Sequence, residues 1–147
     1  MMPYGHKNTK GYAEIFTSAG LVFKMIMEEG IRPGLEEVDK TLFDPAVGHG
    51  QFPCAELVMK LFYQVGRLNE TVALRALKSL YGMDIQPASV GIAREHLIAT
   101  LVDSYRYFTG KEFKRIDEAR AIVEGNIMVG DNLKAMGKWA APQQELF

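Results

Sequence analysis

The sequence has little of what marks secreted, membrane or strongly basic DNA-binding chains. Cys54 is the only cysteine in 147 residues, which excludes a disulfide within the chain and favours a cytoplasmic setting. No apolar run reaches the roughly 20 residues that a membrane-spanning helix needs, and no signal peptide is evident. With 17 basic and 18 acidic residues, the chain has no surplus of positive charge to bind a phosphate backbone.

What the chain does have is enough apolar residues for one core. Hydrophobic residues make up 48% of the sequence, and 147 residues are a typical domain length. We expect a flexible amino-terminal segment over residues 1–13, one domain over 14–134 and a carboxyl-terminal tail over 135–147. No cluster of histidines, cysteines and carboxylates suggests a metal site. We expect Cys54 to lie in the core and His96 on a helix surface.

Periodicity predicts alternating helices and strands. Strands are expected at 38–43, 80–84 and 127–129, and helices after Thr17 or Ser18, after the glycine pair at 48–50, after Asn69 and from Pro87. The helix after the glycine pair is expected to point Cys54, Val58, Leu61, Phe62 and Val65 inward. The long helix from Pro87 is expected to bury Val90, Ala93, Leu97, Leu101 and Tyr105 or Phe108. Residues 111–124 are predicted to be a polar, partly helical connection. With right-handed crossovers, the three strands are expected to form a parallel sheet.

Residues 44–52, Asp-Pro-Ala-Val-Gly-His-Gly-Gln-Phe, are the most informative stretch. An acid closes an apolar run, and a Gly-x-Gly turn then leads into a helix. Such a turn lets the backbone approach a small ligand at the carboxyl end of a strand. Pro53 replaces the third glycine of a dinucleotide fingerprint, and Asp84 lies 34 residues after Gly50, beyond the spacing of about 20 that this fingerprint prefers. No Gly-Lys-Ser or Gly-Lys-Thr follows, so a phosphate loop is also disfavoured.

This stretch resembles the first motif of S-adenosylmethionine-dependent methyltransferases, in particular the adenine-amino DNA methyltransferases, Asp-Pro-x-x-Gly-x-Gly-x-Phe. The matching positions are Asp44, Pro45, Gly48, Gly50 and Phe52. Three more segments resemble the family's motifs in the same order: 14–22 the amino-terminal motif, with Ser18 where proline is usual, 82–85 the acid of the second strand, and 130–133 the Gly-Asp-x-Leu motif. The resemblance implies a Rossmann-like class I methyltransferase fold, here with a truncated parallel sheet.

The resemblance also implies a role for each acidic position in binding S-adenosylmethionine. Asp44 would face the methionine ammonium, Asp84 the two ribose hydroxyls and Asp131 the adenine amino group, while Thr17 would reach the carboxylate of the ligand. The remaining positions that the resemblance places around the cofactor are Ala46, Gly48, His49, Gly50, Phe52, Ile85 and Leu133. For His49, contact with the ligand and an exposed loop position are both open.

The family's catalytic motif, Asn/Asp-Pro-Pro-Tyr/Phe, is missing. The six prolines include no adjacent pair, and that motif orients the target nitrogen toward the methyl group. We therefore expect no catalytic residues and no methyl transfer by this polypeptide alone, with DNA reached only through a partner. Two functions remain open. One is a split or degenerate adenine methyltransferase that needs a partner for the acceptor site. The other is a non-catalytic interaction module, of the kind that a phage could encode, that acts on a sliding clamp or on host restriction-modification.

Two features point to protein partners. In the family's strand order, a sheet that stops after the third strand leaves the first strand as an edge, and an apolar parallel strand seldom stays open. We expect a second copy, another polypeptide or the carboxyl-terminal segment to cover it. The final residues also resemble the bacterial clamp-binding peptide Gln-x-x-Leu-Phe through Gln143, Leu146 and Phe147, although Gln144 replaces the preferred leucine. The open alternatives for this tail are a frayed end or packing on the protein's own edge.

Overall fold

The fold is α/β, with a small parallel sheet and flanking helices. The computed structural model describes residues 32–131. In chain order the elements are α1 (Arg32–Leu35), β1 (Leu42–Asp44), α2 (Gln51–Tyr63), a 3₁₀ turn (Val65–Arg67), α3 (Glu70–Lys78), β2 (Leu80–Asp84), α4 (Pro87–Thr109), α5 (Ile116–Asn126) and β3 (Ile127–Val129). The expectations for the helix after Thr17, for Thr17 and Leu133, for the segment 1–13, and for Gln143, Leu146 and Phe147 fall outside these residues.

The three strands are parallel in the order β1-β2-β3. Leu42 lies opposite Leu80, and Gly82 opposite Ile127. Because partners in a parallel ladder point to the same face, Leu42, Leu80 and Ile127 share one side of the sheet, and all three join the buried core that the helices complete. Helices α2 and α4 pack closely against each other and against β2. Within residues 32–131, β1 pairs with β2 alone and is therefore an edge, as expected.

The first strand is shorter than the sequence predicted. It starts at Leu42 rather than at residue 38, because residues 37–40 turn back on themselves, with the Lys40 amide donating to the Glu37 carbonyl at 3.1 Å. The ammonium of Lys60 stabilises this turn by donating three hydrogen bonds to its backbone carbonyls. The start of β1 therefore depends on Lys60, a side chain of the next helix. The local hydrophobic pattern around residues 38–43 gives no sign of this contact.

The predicted inward face of α2 is partly wrong. Phe62 is 50% exposed and Val65 is 49% exposed. The residues of α2 that are buried are Pro53, Ala55, Glu56, Leu57, Lys60 and Leu61. The helix is rotated because it packs on both α4 and the sheet, and Lys60 finds carbonyl acceptors inside the protein. Cys54 packs against the core as expected, and burial raises the pKa of its thiol to about 12, so it is not a reactive nucleophile.

Other sequence predictions are confirmed. The Asn69 side chain caps α3 by accepting from the Val72 amide at 2.9 Å, and β2, β3 and the start of α4 at Pro87 have the predicted bounds. The residues of α4 predicted to point inward are buried: Val90, Ala93, Leu97, Leu101 and Tyr105. The predicted polar connection contains helix α5, with Asp117 and Glu118 in its first turn. Acidic side chains at this end interact favourably with the helix dipole. None of the helices described over residues 32–131 is both long and apolar enough to cross a bilayer.

Candidate functional site

The loop between β1 and α2 lies over the end of β2. The Val47 amide donates to the Met83 carbonyl at 2.9 Å, and the Gly50 amide donates back to the Val47 carbonyl at 2.8 Å. The Cys54 amide then donates to the Gly50 carbonyl, which starts the helix. This loop occupies the carboxyl edge of a parallel sheet, the edge at which open α/β folds bind ligands.

Two glycines of the motif have backbone angles that favour glycine. Gly48 has φ 56° and Gly50 has φ 91°, both in the left-handed region. A Cβ on Gly50 would also lie 3.3 Å from the Ala93 Cα and Cβ atoms, so α4 packs directly on the turn. On the other side, a Cβ on Gly82 would lie 3.1 Å from Val47. The glycines therefore serve a tight turn held between α4 and β2.

Asp44 is buried at the end of β1, with 8% of its surface exposed. One of its carboxyl oxygens, Oδ1, accepts the Ala46 amide at 3.0 Å. Burial, and secondarily the charge of Asp84, raises the pKa of Asp44 to about 6, against the opposing effect of the Ala46 hydrogen bond. The side chain is therefore an anion at neutral pH that has lost most of its water, which favours a cationic hydrogen-bond donor as its partner.

Asp84 lies beside it, at the end of the neighbouring strand. Its Oδ2 accepts the Gly48 amide at 3.0 Å, and its Oδ1 accepts the Gln86 amide at 3.0 Å. A carboxylate has about four acceptor positions, so one on each oxygen is left for other donors. The sequence predicted Asp84 as a ribose acceptor but did not predict that it also holds the glycine turn of the preceding strand.

The two histidines near the turn differ from their sequence interpretations. His49 is buried, at 9% exposure, so the exposed loop position is wrong; burial, followed by His96, lowers its pKa. His96 is half-buried on α4 rather than on the helix surface. Its Nδ1 lies 2.7 Å from the His49 carbonyl, and because a carbonyl only accepts, that nitrogen carries the proton. His96 therefore ties α4 to the glycine turn through a contact that sequence reasoning missed.

The other predicted positions within residues 32–131 lie around the same edge. Ala46 is exposed, and its amide is bound to Asp44. Phe52 is partly buried against the core, while Ile85 is 67% exposed just beyond β2. The Gly130 amide donates to the Asp84 carbonyl at 3.0 Å, which brings the end of β3 alongside, and exposed Asp131 follows directly. The described motif residues thus meet at one edge of the sheet.

A buried acid and base lie on α2, the helix that follows the glycine turn, and were not predicted as functional. Glu56 and Lys60 are 1% and 0% exposed. Burial, together with the charge of Asp44, raises the pKa of Glu56 well above its ordinary value, although Lys60 opposes this shift. A Glu and a Lys four residues apart on a helix usually form a surface pair, so the sequence pattern alone gave no reason to place them inside.

The chemistry of this edge favours a ligand with cationic and hydroxyl donors. Asp44 and Asp84 supply acceptors, and the Gly48 amide, which could otherwise bind an anion, is already engaged by Asp84. A phosphate group would meet two carboxylates instead of free amides. Among the described residues, no group of three or more histidine, cysteine or acidic side chains is placed to hold a metal ion.

A concavity on the described part of the chain lies away from these residues. It has a volume of about 430 Å³ and is lined by Glu36, Glu37, Val38, Asp39, Gln64, Arg67, Val72 and Arg75. Its lining comes from the segment before β1, the end of α2 and α3, and it contains none of the motif positions. Asp39 and Arg75 pair across it, with Arg75 Nε donating to Asp39 Oδ1 at 3.1 Å. This concavity is therefore separate from the motif residues, which lie at the carboxyl edge of the sheet.

Comparison of the chain with protein-family models, curated proteins and solved structures gives no match.

Proposed function

We propose that this protein binds S-adenosylmethionine at the carboxyl edge of the sheet, in a Rossmann-like class I methyltransferase arrangement. The observation that supports this most directly is the pairing of two acidic residues at the ends of neighbouring parallel strands, with the glycine turn between them held by the hydrogen bond from Gly48 to Asp84. A turn that needs glycine at two positions, next to two carboxylates, suits a ligand with an amino-acid end and a ribose end.

Each described residue has a defined part in this proposal. Asp44 pairs with the ligand ammonium, because a desolvated carboxylate gains most from a cationic donor. Asp84 accepts the ribose hydroxyls with the acceptor positions that Gly48 and Gln86 leave. Asp131, beyond the end of β3, accepts the adenine amino group, and exposed Ile85 offers an apolar side chain for the adenine ring. When bound, the cofactor would supply an activated methyl group.

The reaction class that the motifs suggest is methylation of an adenine amino group in DNA. This sequence contains no Pro-Pro pair, so the group that orients the acceptor has to come from another segment or another polypeptide. We propose that the donor site and the acceptor site are contributed separately. Incubation with labelled S-adenosylmethionine and DNA should give no methylated DNA with this polypeptide alone, and robust transfer would refute the split arrangement.

The test of binding is calorimetric titration with S-adenosylmethionine and S-adenosylhomocysteine. We expect one site per chain with the natural sequence and binding weakened about 10- to 100-fold in Asp44→Asn, the change expected for a lost charge-assisted hydrogen bond. Asp103→Asn is a matched control, because Asp103 lies on the exposed side of α4 in a long 3.4 Å contact with Arg106. Absence of heat and of thermal stabilisation with both ligands would refute the proposal.

A second candidate function is a non-catalytic module that acts through a sliding clamp. It is favoured by the clamp-like residues Gln143, Leu146 and Phe147. A Leu-Phe pair can fill an apolar groove while the glutamine bonds at its rim. Retention of the chain on an immobilised bacterial clamp, compared with a chain ending at Ala141, tests this function. Equal retention of both chains would exclude the tail as the clamp-binding element.

A further inference from the structure

Glu56 has a buried oxygen without a partner. The residue is 1% exposed, and its Oε2 has no hydrogen-bond partner among residues 32–131. Buried polar atoms are nearly always bonded, so an orphaned carboxyl oxygen requires an explanation. The helix that carries Glu56 follows directly from the glycine turn, and Glu56 lies near enough to Asp44 for the two charges to interact.

Lys60 is the obvious partner, but its donors are used elsewhere. Its ammonium group donates to the carbonyls of Glu37, Val38 and Lys40 at 3.0, 3.1 and 2.7 Å. An ammonium has three hydrogens, so none is left for Glu56. Lys60 therefore stabilises Glu56 through charge alone, while its hydrogen bonds hold the turn before β1.

The other charged group near Glu56 is Asp44. The charge of Asp44 on β1 raises the pKa of Glu56, after the larger effect of burial, and Asp84 on β2 acts similarly on Asp44. Among the described residues, Lys60 on the same helix is the one basic group that opposes the raised pKa of Glu56. Two neighbouring buried carboxyls, with an ammonium whose three hydrogens are bound to backbone carbonyls, favour retention of a proton in the free protein.

We propose that Glu56 is a second acidic ligand for the amino group of the bound molecule, its Oε2 accepting a hydrogen bond from the ammonium that Asp44 holds. This inference rests on the proposed function, because it assumes that an amino-acid end occupies the Asp44 side of the site. An ammonium offers three donors, so it can bond both carboxyls at once. When the cation arrives, the carboxyl pair releases its proton to the solvent, and the orphaned oxygen gains the donor that it lacks in the free protein.

The experiment compares the natural chain with Glu56→Gln against three ligands. S-adenosylmethionine and S-adenosylhomocysteine both carry the ammonium, and methylthioadenosine lacks the whole amino-acid end. We expect Glu56→Gln to weaken the binding of S-adenosylmethionine and S-adenosylhomocysteine about 10-fold or more. The binding of methylthioadenosine should not change. Titration in buffers of different ionisation enthalpy at pH 7.5, above the pKa of about 6 for Asp44, should show proton release with S-adenosylhomocysteine that Glu56→Gln abolishes.

Each contrary result has a separate meaning. Unchanged binding of all three ligands by Glu56→Gln would overturn this inference and leave the proposed function standing. An equal loss for methylthioadenosine would overturn it too, because it would show a purely structural role. If the variant does not fold, the natural chain still decides: equal proton release with methylthioadenosine and S-adenosylhomocysteine would overturn the inference. Failure of the natural chain to bind any of the ligands would overturn the proposed function and this inference with it.

Discussion

The Gly48 amide donates to Asp84 Oδ2 at 3.0 Å, across two neighbouring strands of the sheet. The acid at the end of β2 therefore positions the glycine turn that follows β1, and one side chain joins the two motifs that the proposed ligand would contact. A substitution at Asp84 should affect both the shape of the turn and the binding of the ligand.

The first prediction concerns that side chain. Asp84→Ala should weaken S-adenosylmethionine binding about 10- to 100-fold, since a charge-assisted hydrogen bond contributes roughly 1.5 to 3 kcal/mol. It should also lower the free energy of unfolding by about 1 to 3 kcal/mol, because two backbone amides lose their acceptor. Calorimetry and urea unfolding measure the two effects, with Asp103→Ala on the exposed side of α4 as the control. An unchanged titration curve would remove Asp84 from the site.

The second prediction uses a pair of glycines. Gly50→Ala should destabilise the protein by about 1 to 2 kcal/mol or more, because a Cβ is disfavoured at φ 91° and would lie 3.3 Å from Ala93. Gly91→Ala is the matched control on α4, where a Cβ would meet nothing within 4 Å; there alanine should stabilise by about 0.5 to 1 kcal/mol. Similar unfolding midpoints for both variants would contradict the packing of α4 on the turn.

The third prediction concerns the buried base on α2. Lys60→Met should lower the free energy of unfolding by about 3 to 5 kcal/mol, because it removes the donors of three carbonyls and the one positive charge among residues 32–131 that acts on Glu56. Adding Glu56→Gln should restore part of this loss, because it removes the acid whose ionised form Lys60 stabilises. Urea unfolding of both single variants and the double variant gives the coupling energy. Strict additivity of the two changes would show that the pair is not coupled.

The fourth prediction is a pH dependence of stability. Because burial raises the pKa of Asp44 from 3.8 to about 6, the folded protein binds this proton more tightly than the unfolded chain does. The resulting stabilisation is present below about pH 4 and is lost as the pH rises to about 6, with a size of up to about 3 kcal/mol. Urea unfolding between pH 4 and 7 should therefore show a steeper fall for the natural chain than for Asp44→Asn. Parallel curves would contradict the raised pKa.

The fifth prediction concerns the edge at β1. Within residues 32–131 this strand has one neighbour, β2, and all three of its residues are buried. An apolar parallel strand seldom remains an open edge, so we expect a second copy, another polypeptide or the carboxyl-terminal segment to pair with it. Sedimentation of the full chain and of a chain ending at Ala141 separates these cases. A strictly monomeric mass at high concentration, with no partner strand at the edge, would refute the expectation.

Local sequence signals were sufficient for much of the fold. Asn69 predicted the start of α3 because its side chain can cap only nearby amides, and Pro87 predicted the start of α4 because its ring suits the first helical turn. The alternation of elements predicted a parallel sheet. Adjacent strand ends in such a sheet place Asp44 and Asp84 together, so the meeting of these two acids was also predictable.

The order of helices and strands, and the acids and glycines that follow the strands, depend on short-range backbone preferences and could be derived from the chain alone. Three-dimensional packing was needed to show which side of α2 is buried, where β1 begins and what partners the acids have. Lys60 reaches carbonyls about 20 residues earlier in the chain, and Asp84 reaches Gly48 across 36 residues. Contacts over such sequence distances arise from packing and charge compensation in three dimensions. Local sequence patterns therefore do not predict them.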